Sequence, residues 1–319
     1  MSSEASMKGA RKLRVATRGS RLALHQAARV AELLALLPGS PRCEMHVVRT
    51  TGDRLDEAPI ERIGGQGAFV KEVSAAVLDG RADVAVHSAK DLPSTEQPGL
   101  VLAAVPERAD PRDALVGKRL EDLLPGDSVA TGSARRRAQL AWLRPDLTFC
   151  ELRGNMARRV ERAERVGAGV LAAAALERLG WSARAAEVLE PATLLPQVGQ
   201  GALAVECRAA DTELIEMLFA IDDAAAHGAL LAERAFLAAI GGGCSTPSAA
   251  LATTSSPPGS DGSERFGFVL EGMLASRDGH VLLRRRCAGD DAVDLGRRLA
   301  AELLDDAGGR SLEDFRTSR

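Results

Sequence analysis

The sequence predicts an α/β protein of three domains: two parallel-sheet lobes with a cleft between them, and a small α+β domain at the C-terminal end. Three observations predict it. Short apolar runs alternate with stretches of helical period between residues 12 and 105 and again between 128 and 173, the pattern of successive βα units. The glycine-bearing segment LPQVGQGALAVECR, 195–208, reads as a return crossover whose strand, 202–207, rejoins the first lobe. Beyond it, strand-like and helix-like stretches follow one another without the βα rhythm. The expected boundaries are a disordered leader at 1–10, a first lobe at 11–106 and 202–220, a second lobe at 110–196, and the α+β domain at 224–319.

Composition excludes several function classes. A chain of 319 residues that is 45% hydrophobic has room for two or three buried cores. Its net charge of −3 supplies no global field for nucleic acid or an anionic membrane, so any basic site must be local. Aromatic residues make up 3% and tyrosine is absent, which argues against a base-stacking surface. Cys43, Cys150, Cys207, Cys244 and Cys287 are scattered and never at C-x-x-C spacing, against a disulfide frame or a structural zinc site. No metal is expected. The N-terminal MSSEASMKGARK has no apolar core, and the longest apolar run, 170–176, is far short of the roughly 20 residues a membrane helix needs. A soluble cytoplasmic protein is expected, with no membrane partner.

The elements follow in order. Residues 12–16 alternate as a strand, and Leu22, Ala23, Ala27, Val30, Leu33, Leu34 and Leu37 recur at helical spacing. Ser20 stands at the N-cap position beside Arg18, and a helix N-terminus there offers free N–H groups to an anion. A strand at 44–50 precedes a long polar connection, 53–67, which suits a lid. Helical period resumes at Phe69. The stretch ADVAVHSAKDLP, 82–93, is a buried strand that runs into His87, Ser88, Lys90 and Asp91 and is stopped by Pro93. In open α/β sheets such carboxyl ends face the ligand crevice. A further strand is expected at 101–105, and the charged ERADPRD, 107–113, as the crossover to the second lobe.

That lobe reads as strand 128–131, helix 134–143, strand 147–152, helix 155–166 and strand 169–173. Between Thr131 and Arg159 stand seven arginines against two acids. Arg135, Arg136 and Arg153 follow predicted strands and Arg159 lies one turn into a helix, so these guanidiniums converge on one crevice. Arginine suits fixed, bidentate recognition of carboxylate or phosphate. Arg137, Arg144 and Arg158 read as a solvated face. After helices at 214–221 and 230–240, Cys244 sits in GGGCSTP, where glycines allow close backbone approach. No histidine or asparagine spacing supports a cysteine-protease arrangement, so Cys244 reads either as a structural cysteine or, if it does chemistry, as a point of covalent attachment. The remainder predicts strands at 265–274 and 280–287, a helix at 292–304, and a flexible loop at 255–263.

Nine segments in order resemble the porphobilinogen deaminase (hydroxymethylbilane synthase) family: VATRGSRLAL, TGDRLDEAPIERIGGQGAFVKE, ADVAVHSAKDLP, ERADPRDAL, TGSARRRAQL, LRGNMARR, LPQVGQGALAVECR, AERAF and GGGCSTP. The resemblance implies two lobes of periplasmic-binding-protein type and a dipyrromethane cofactor joined by a thioether to Cys244. It implies stepwise condensation of four porphobilinogens with loss of ammonia, and release of hydroxymethylbilane. Asp91 matches the catalytic aspartate, which holds pyrrole N–H groups, assists ammonia loss and stabilises the cation left behind. Arg18, Ser20, Lys90, Ser133, Arg135, Arg136, Arg153, Arg159 and Arg178 match positions that bind the carboxylates of cofactor and substrate, and Phe69 an apolar residue near the reacting rings. The implied enzyme is a monomer able to hand its product to the next pathway enzyme.

The chain departs from the family pattern at Gln66, where lysine is common, at Gly132, where serine is common, and at Gly167 and Ala175, where Asp and Gly are usual. The departures bear on affinity and lid behaviour more than on reaction type. They leave two alternatives: a degenerate paralogue, or a two-lobed anion-binding protein without turnover.

Overall fold

The computed structural model of the protein describes residues 12–39, 41–50, 70–243, 245–256 and 267–316. The expected leader, the lid at 53–67, Gln66, Phe69 and Cys244 lie outside the described residues. In chain order come β1 (Lys12–Arg18), α1 (Arg21–Ala35), β2 (Arg42–Val48), α2 (Lys71–Leu78), β3 (Val84–Ser88) and β4 (Leu100–Ala104). The second lobe follows with β5 (Asp113–Gly117), β6 (Ser128–Ala130), α3 (Ala134–Leu143), β7 (Thr148–Cys150), α4 (Met156–Val166), β8 (Ala168–Ala172), α5 (Ala173–Arg178) and β9 (Ala185–Leu189). Then come β10 (Leu203–Arg208), α6 (Thr212–Phe219), α7 (Ala224–Ala239), β11 (Ser248–Ser256), β12 (Gly267–Ala275), β13 (Leu282–Gly289) and α8 (Ala292–Ala301).

The fold class is the expected one. The first sheet has the order β2-β1-β3-β10-β4 and the second β7-β6-β8-β5-β9. In each, four strands share one direction and the strand fourth in order is antiparallel to both neighbours. That fourth strand is the one arriving from the other lobe. β10 starts opposite Ser88, the last residue of β3, and β5 starts opposite Ala172, the last of β8. A strand that enters a sheet at the edge where its neighbours finish must run against them.

Side-chain alternation fixes both faces of the first sheet. Leu13, Val15, Val84 and Val86 pack on Val30 and Leu34 of α1, while Ala16 and Ala85 face Val73 and Val77 of α2. In the C-terminal domain β11, β12 and β13 form an antiparallel sheet under α7 and α8, cored by Phe236, Leu270, Leu274 and Leu299. This domain touches both lobes. Ala226 and Leu230 of α7 pack on Ala89 and Leu92 of the first lobe, and Ala249 and Met273 pack on Ala138 of the second.

Glu233 of α7, fully buried, ties the two crossovers to this domain. It accepts from Arg108 at 2.6 and 3.1 Å, from Gly199 N at 2.7 Å and from Ala252 N at 2.9 Å. The return crossover lies almost on the outward one. Gly201 (φ +87°) has no room for a Cβ, which would sit 2.3 Å from Ala109 O, and a Cβ on Gly199 (φ +71°) would sit 2.9 Å from Lys90 N. Only glycine reconciles such φ values with that approach.

Three strands escape the sequence pattern. β5 follows directly on the charged ERADPRD, β9 (AAEVL) has only two strongly apolar residues, and β11 (SAALATTSS) reads as a small polar loop. Each is held by pairing with a neighbour more than by its own propensity.

Candidate active site

In the first lobe β3 delivers its last residue, Ser88, into a single 3₁₀ turn, Ala89–Asp91, closed by Leu92 N donating to Ala89 O at 3.2 Å. Lys90 and Asp91 project from that turn, both half-buried. The return crossover holds the turn from behind: Ala89 N donates to Ala202 O at 3.0 Å and Gln197 Nε2 to Lys90 O at 3.3 Å. His87 points into the protein, where its Nε2 lies 3.1 Å from Glu206 Oε2, and Ser74 Oγ donates to the same oxygen at 3.2 Å. Burial pushes the Glu206 carboxyl up, but His87 and Ser74 outweigh it and leave it lowered. His87 therefore supports the strand and is not part of the crevice.

In the second lobe β6 ends at Ala130, and Ser133 caps α3 by accepting from Arg136 N at 3.4 Å. Arg135 and Arg136 open the helix and close on one carboxylate, that of Asp113, the first residue of β5, which is fully buried. Arg136 donates to Oδ1 from Nε at 3.1 Å and from Nη2 at 2.6 Å, and Gln200 Nε2 donates to the same oxygen at 2.8 Å. Arg135 Nη1 lies 2.8 Å from Oδ2 while donating to Leu195 O at 2.7 Å. Burial alone would raise the Asp113 carboxyl; the two guanidiniums hold it well below the usual carboxylate range. Breaking a buried pair of this kind typically costs about 3–5 kcal/mol.

The two lobes meet at Lys90. Protein atoms surround its ammonium on nearly every side although part of its surface still reaches the cleft. That burial lowers its pKa to about 8, with Asp91 and Asp113 raising it and Arg136 and Arg159 lowering it. Lys90, Asp91, Arg136, Asp113 and Arg159 thus share one electrostatic neighbourhood drawn from both lobes. A narrow crevice adjoins it, lined by Ser133, Arg135, Gln197, Gly243, Thr246 and Ser248, where the C-terminal domain meets the second lobe. Arg135 Nε and Nη2 are buried there with no hydrogen-bond partner, an arrangement that fits a ligand carboxylate. Gly243, the last described residue of the glycine run after α7, lines the same crevice.

The remaining expected residues are distributed unevenly. Arg159 Nε donates to Gly154 O at 2.7 Å, and Arg178 Nη2 crosses to the return crossover, donating to Gly201 O at 2.6 Å. Ser20 caps α1 by accepting from Ala23 N at 3.2 Å, with Arg18 half-buried beside it at the end of β1. Arg153 lies in a basic hollow of about 400 Å³ with Arg158, Arg162 and Arg165, its Nε 3.0 Å from Glu151 Oε2. Arg137 and Arg158 are exposed, and Arg144 pairs with Asp146 at 2.6 Å.

Two departures from the family pattern have a local reason. Gly132 leaves space for the Glu151–Arg153 pair, since a Cβ there would meet Glu151 Oε2 at 3.3 Å and Arg153 Cζ at 3.4 Å. Gly167 closes α4 at φ +113°, which an aspartate would adopt only under strain. Nothing in the structure explains Ala175.

Reading from sequence missed Asp113, Gln200, Gln197 and Glu233. Asp113 heads the apolar run Ala114–Val116, an acid at the mouth of a buried strand, and that was the available signal.

Comparisons with known proteins agree along the chain. Residues 13–216 match the family model "Porphobilinogen deaminase, dipyromethane cofactor binding domain", and residues 228–305 match "Porphobilinogen deaminase, C-terminal domain". A porphobilinogen deaminase of Roseiflexus sp. (strain RS-1) is 47% identical over 305 residues, 93% of this chain and 97% of that protein. One from Bacillus subtilis (strain 168) is 40% identical over 310 residues, 95% of this chain and 96% of that protein. Among solved structures, a TRAP periplasmic solute binding protein from Desulfovibrio salexigens is similar at a TM-score of 0.40 and 12% identity, over 67% of this chain and 72% of that one.

Proposed function

The chain belongs to the porphobilinogen deaminase family, and on that premise we propose that the residues gathered around Lys90 are its working site, with Asp91 catalytic and Cys244 the point of cofactor attachment. The family's enzymes are transferases of tetrapyrrole biosynthesis that act on porphobilinogen and carry a dipyrromethane cofactor. The finer activity proposed is hydroxymethylbilane synthesis, four porphobilinogens joined head to tail before release. When bound, the dipyrromethane supplies the free pyrrole position onto which substrate is condensed.

The observation that carries the assignment is that the buried Lys90 ammonium feels the charges of Asp91 in its own lobe and of Arg136 and Arg159 in the other. Porphobilinogen brings an acetate, a propionate, a ring N–H and an aminomethyl group. Arg135, Arg136, Arg159 and Lys90 offer cations to the carboxylates, and Ser133 and the unpartnered N–H groups of Arg135 serve the cofactor's side of the crevice. Asp91 is the acceptor for ring N–H groups and the counter-charge for the cation left as ammonia departs. Opposite charges about 4 Å apart at an effective dielectric of 20 attract by roughly 4 kcal/mol. Such a carboxylate accelerates the reaction to the extent that its partner is charged only in the transition state. Arg18, Ser20, Arg153 and Arg178 complete the set at the margins, with Phe69 against the rings.

The proposal keeps the boundaries at 11–106 with 202–220, 110–196 and 224–319. It places the enzyme in the cytoplasm as a monomer that passes its product on. Among the described residues, Cys43, Cys150, Cys207 and Cys287 form no disulfide, in keeping with a reducing compartment. The test is the intact mass of the full chain made in porphobilinogen-replete cells, together with the aldehyde colour reaction for a dipyrrole. The expected result is a dipyrromethane adduct that disappears in Cys244→Ala. An unmodified mass, or an adduct that survives the substitution, would overturn the assignment.

A further inference from the structure

We propose that Asp113 is a positioning residue for the reaction: it binds Arg135 and Arg136 together and sets them so that the two guanidiniums jointly present one positive charge to one ligand carboxylate. The inference rests on the reading of these arginines as carboxylate-binding groups. Consecutive residues of a helix point about 100° apart, so two neighbouring arginines do not share a target unless something between them supplies it. Asp113 is that group, reaching Arg135 through Oδ2 at 2.8 Å and Arg136 through Oδ1 at 2.6 Å. Gln200, from the return crossover, fixes the carboxylate from a third side at 2.8 Å.

Two features separate this from an ordinary buried ion pair. First, the charges do not cancel: two guanidiniums against one carboxylate leave a single positive charge, in a place closed to water. Second, the donors are not used up. Arg135, which lines the crevice with Ser133 and Thr246, keeps Nε and Nη2 buried and without a hydrogen-bond partner. Arg136 is held by Nε and Nη2 to Asp113 and by Nη1 to Val170 O at 2.9 Å, which fixes the plane of its guanidinium. Asp113 therefore decides both the direction of each guanidinium and the number of ligand carboxylates the pair accepts.

The test uses the full-length enzyme. Asp113→Asn keeps the shape of the side chain and removes its charge; the expected outcome is a roughly tenfold to hundredfold rise in KM for porphobilinogen, with a smaller change in kcat and partial recovery in Asp113→Glu. An unchanged KM in a folded Asp113→Asn protein would overturn the proposal. If Asp113→Asn does not fold, the unsubstituted enzyme decides the matter through ¹⁵N–¹H signals of its arginine Nε groups. The Arg136 signal should be protected from exchange with or without added propionate, and the Arg135 signal should move when propionate is added. Rapid exchange of Arg136, or an unmoved Arg135, counts against it. Arg135→Lys and Arg136→Lys separate the two levels. Normal porphobilinogen binding in both sinks the underlying assignment of the arginines, whereas weakened binding there with normal binding in Asp113→Asn sinks only the role of Asp113.

Discussion

The two five-stranded sheets begin alike and finish differently. In the first, β1 passes through buried Thr17 to Gly19 and Ser20, which caps α1; in the second, β6 passes through buried Thr131 to Gly132 and Ser133, which caps α3. The next residues diverge. α1 opens with Arg21, exposed and 5.5 Å over the ring of Trp181 in the other lobe, whereas α3 opens with Arg135 and Arg136 closed on Asp113. At the third strand the contrast reverses: β3 runs into Ser88, Ala89, Lys90 and Asp91, and β8 runs into a row of four alanines, 172–175. One backbone plan thus yields two kinds of strand end. The first lobe presents a carboxylate, the proposed catalytic acid, beside a buried ammonium; the second presents paired guanidiniums fixed on a buried carboxylate.

The division can be broken at its strongest point by Asp91→Ala. Turnover should fall by about 10²–10³-fold or more, while the adduct proposed on Cys244 should remain. Near-normal turnover would dissolve the distinction between the lobes.

A smaller effect concerns the ammonium. Since burial lowers Lys90 to about pH 8, its positive charge is present below that pH and is lost as pH rises through it. The KM for porphobilinogen should therefore climb above about pH 8, and Lys90→Met should start high and show no such climb. A wild-type KM that stays flat from pH 7 to 9 would remove Lys90 from carboxylate binding.

The smallest effect sharpens the comparison of the two caps. Ser20→Ala and Ser133→Ala should each cost about 1 kcal/mol in urea unfolding. Only Ser133→Ala should also raise KM, since its helix opens with the paired arginines. Equal kinetic effects would mean that the caps do the same job in both lobes.

Much of this arrangement was legible in the residues. The run ADVAVHSAKDLP marks its own strand end by the abrupt passage from Val86 to Lys90 and Asp91, and Ser133, Arg135 and Arg136 stand where a helix must begin. Asp113 was hidden because ERADPRD reads as one charged connector, and only pairing with Ala172 shows that its last residue has entered a sheet. Gln200 and Glu233 were hidden for a related reason. Their partners, Asp113, Arg108 and Gly199, lie far along the chain or on another element, and no periodicity links them.

The tight seat of the return crossover has a consequence for inheritance. Where Gly199 rests on the backbone of Ala89 and Lys90, a missense change there falls on the proposed active-site turn as directly as one at Lys90 itself. The mutational target of the catalytic turn is wider than the residues that do chemistry. It includes a position that contributes no side chain at all, and whose every single-step amino-acid replacement adds the atoms that the fold has no room to hold.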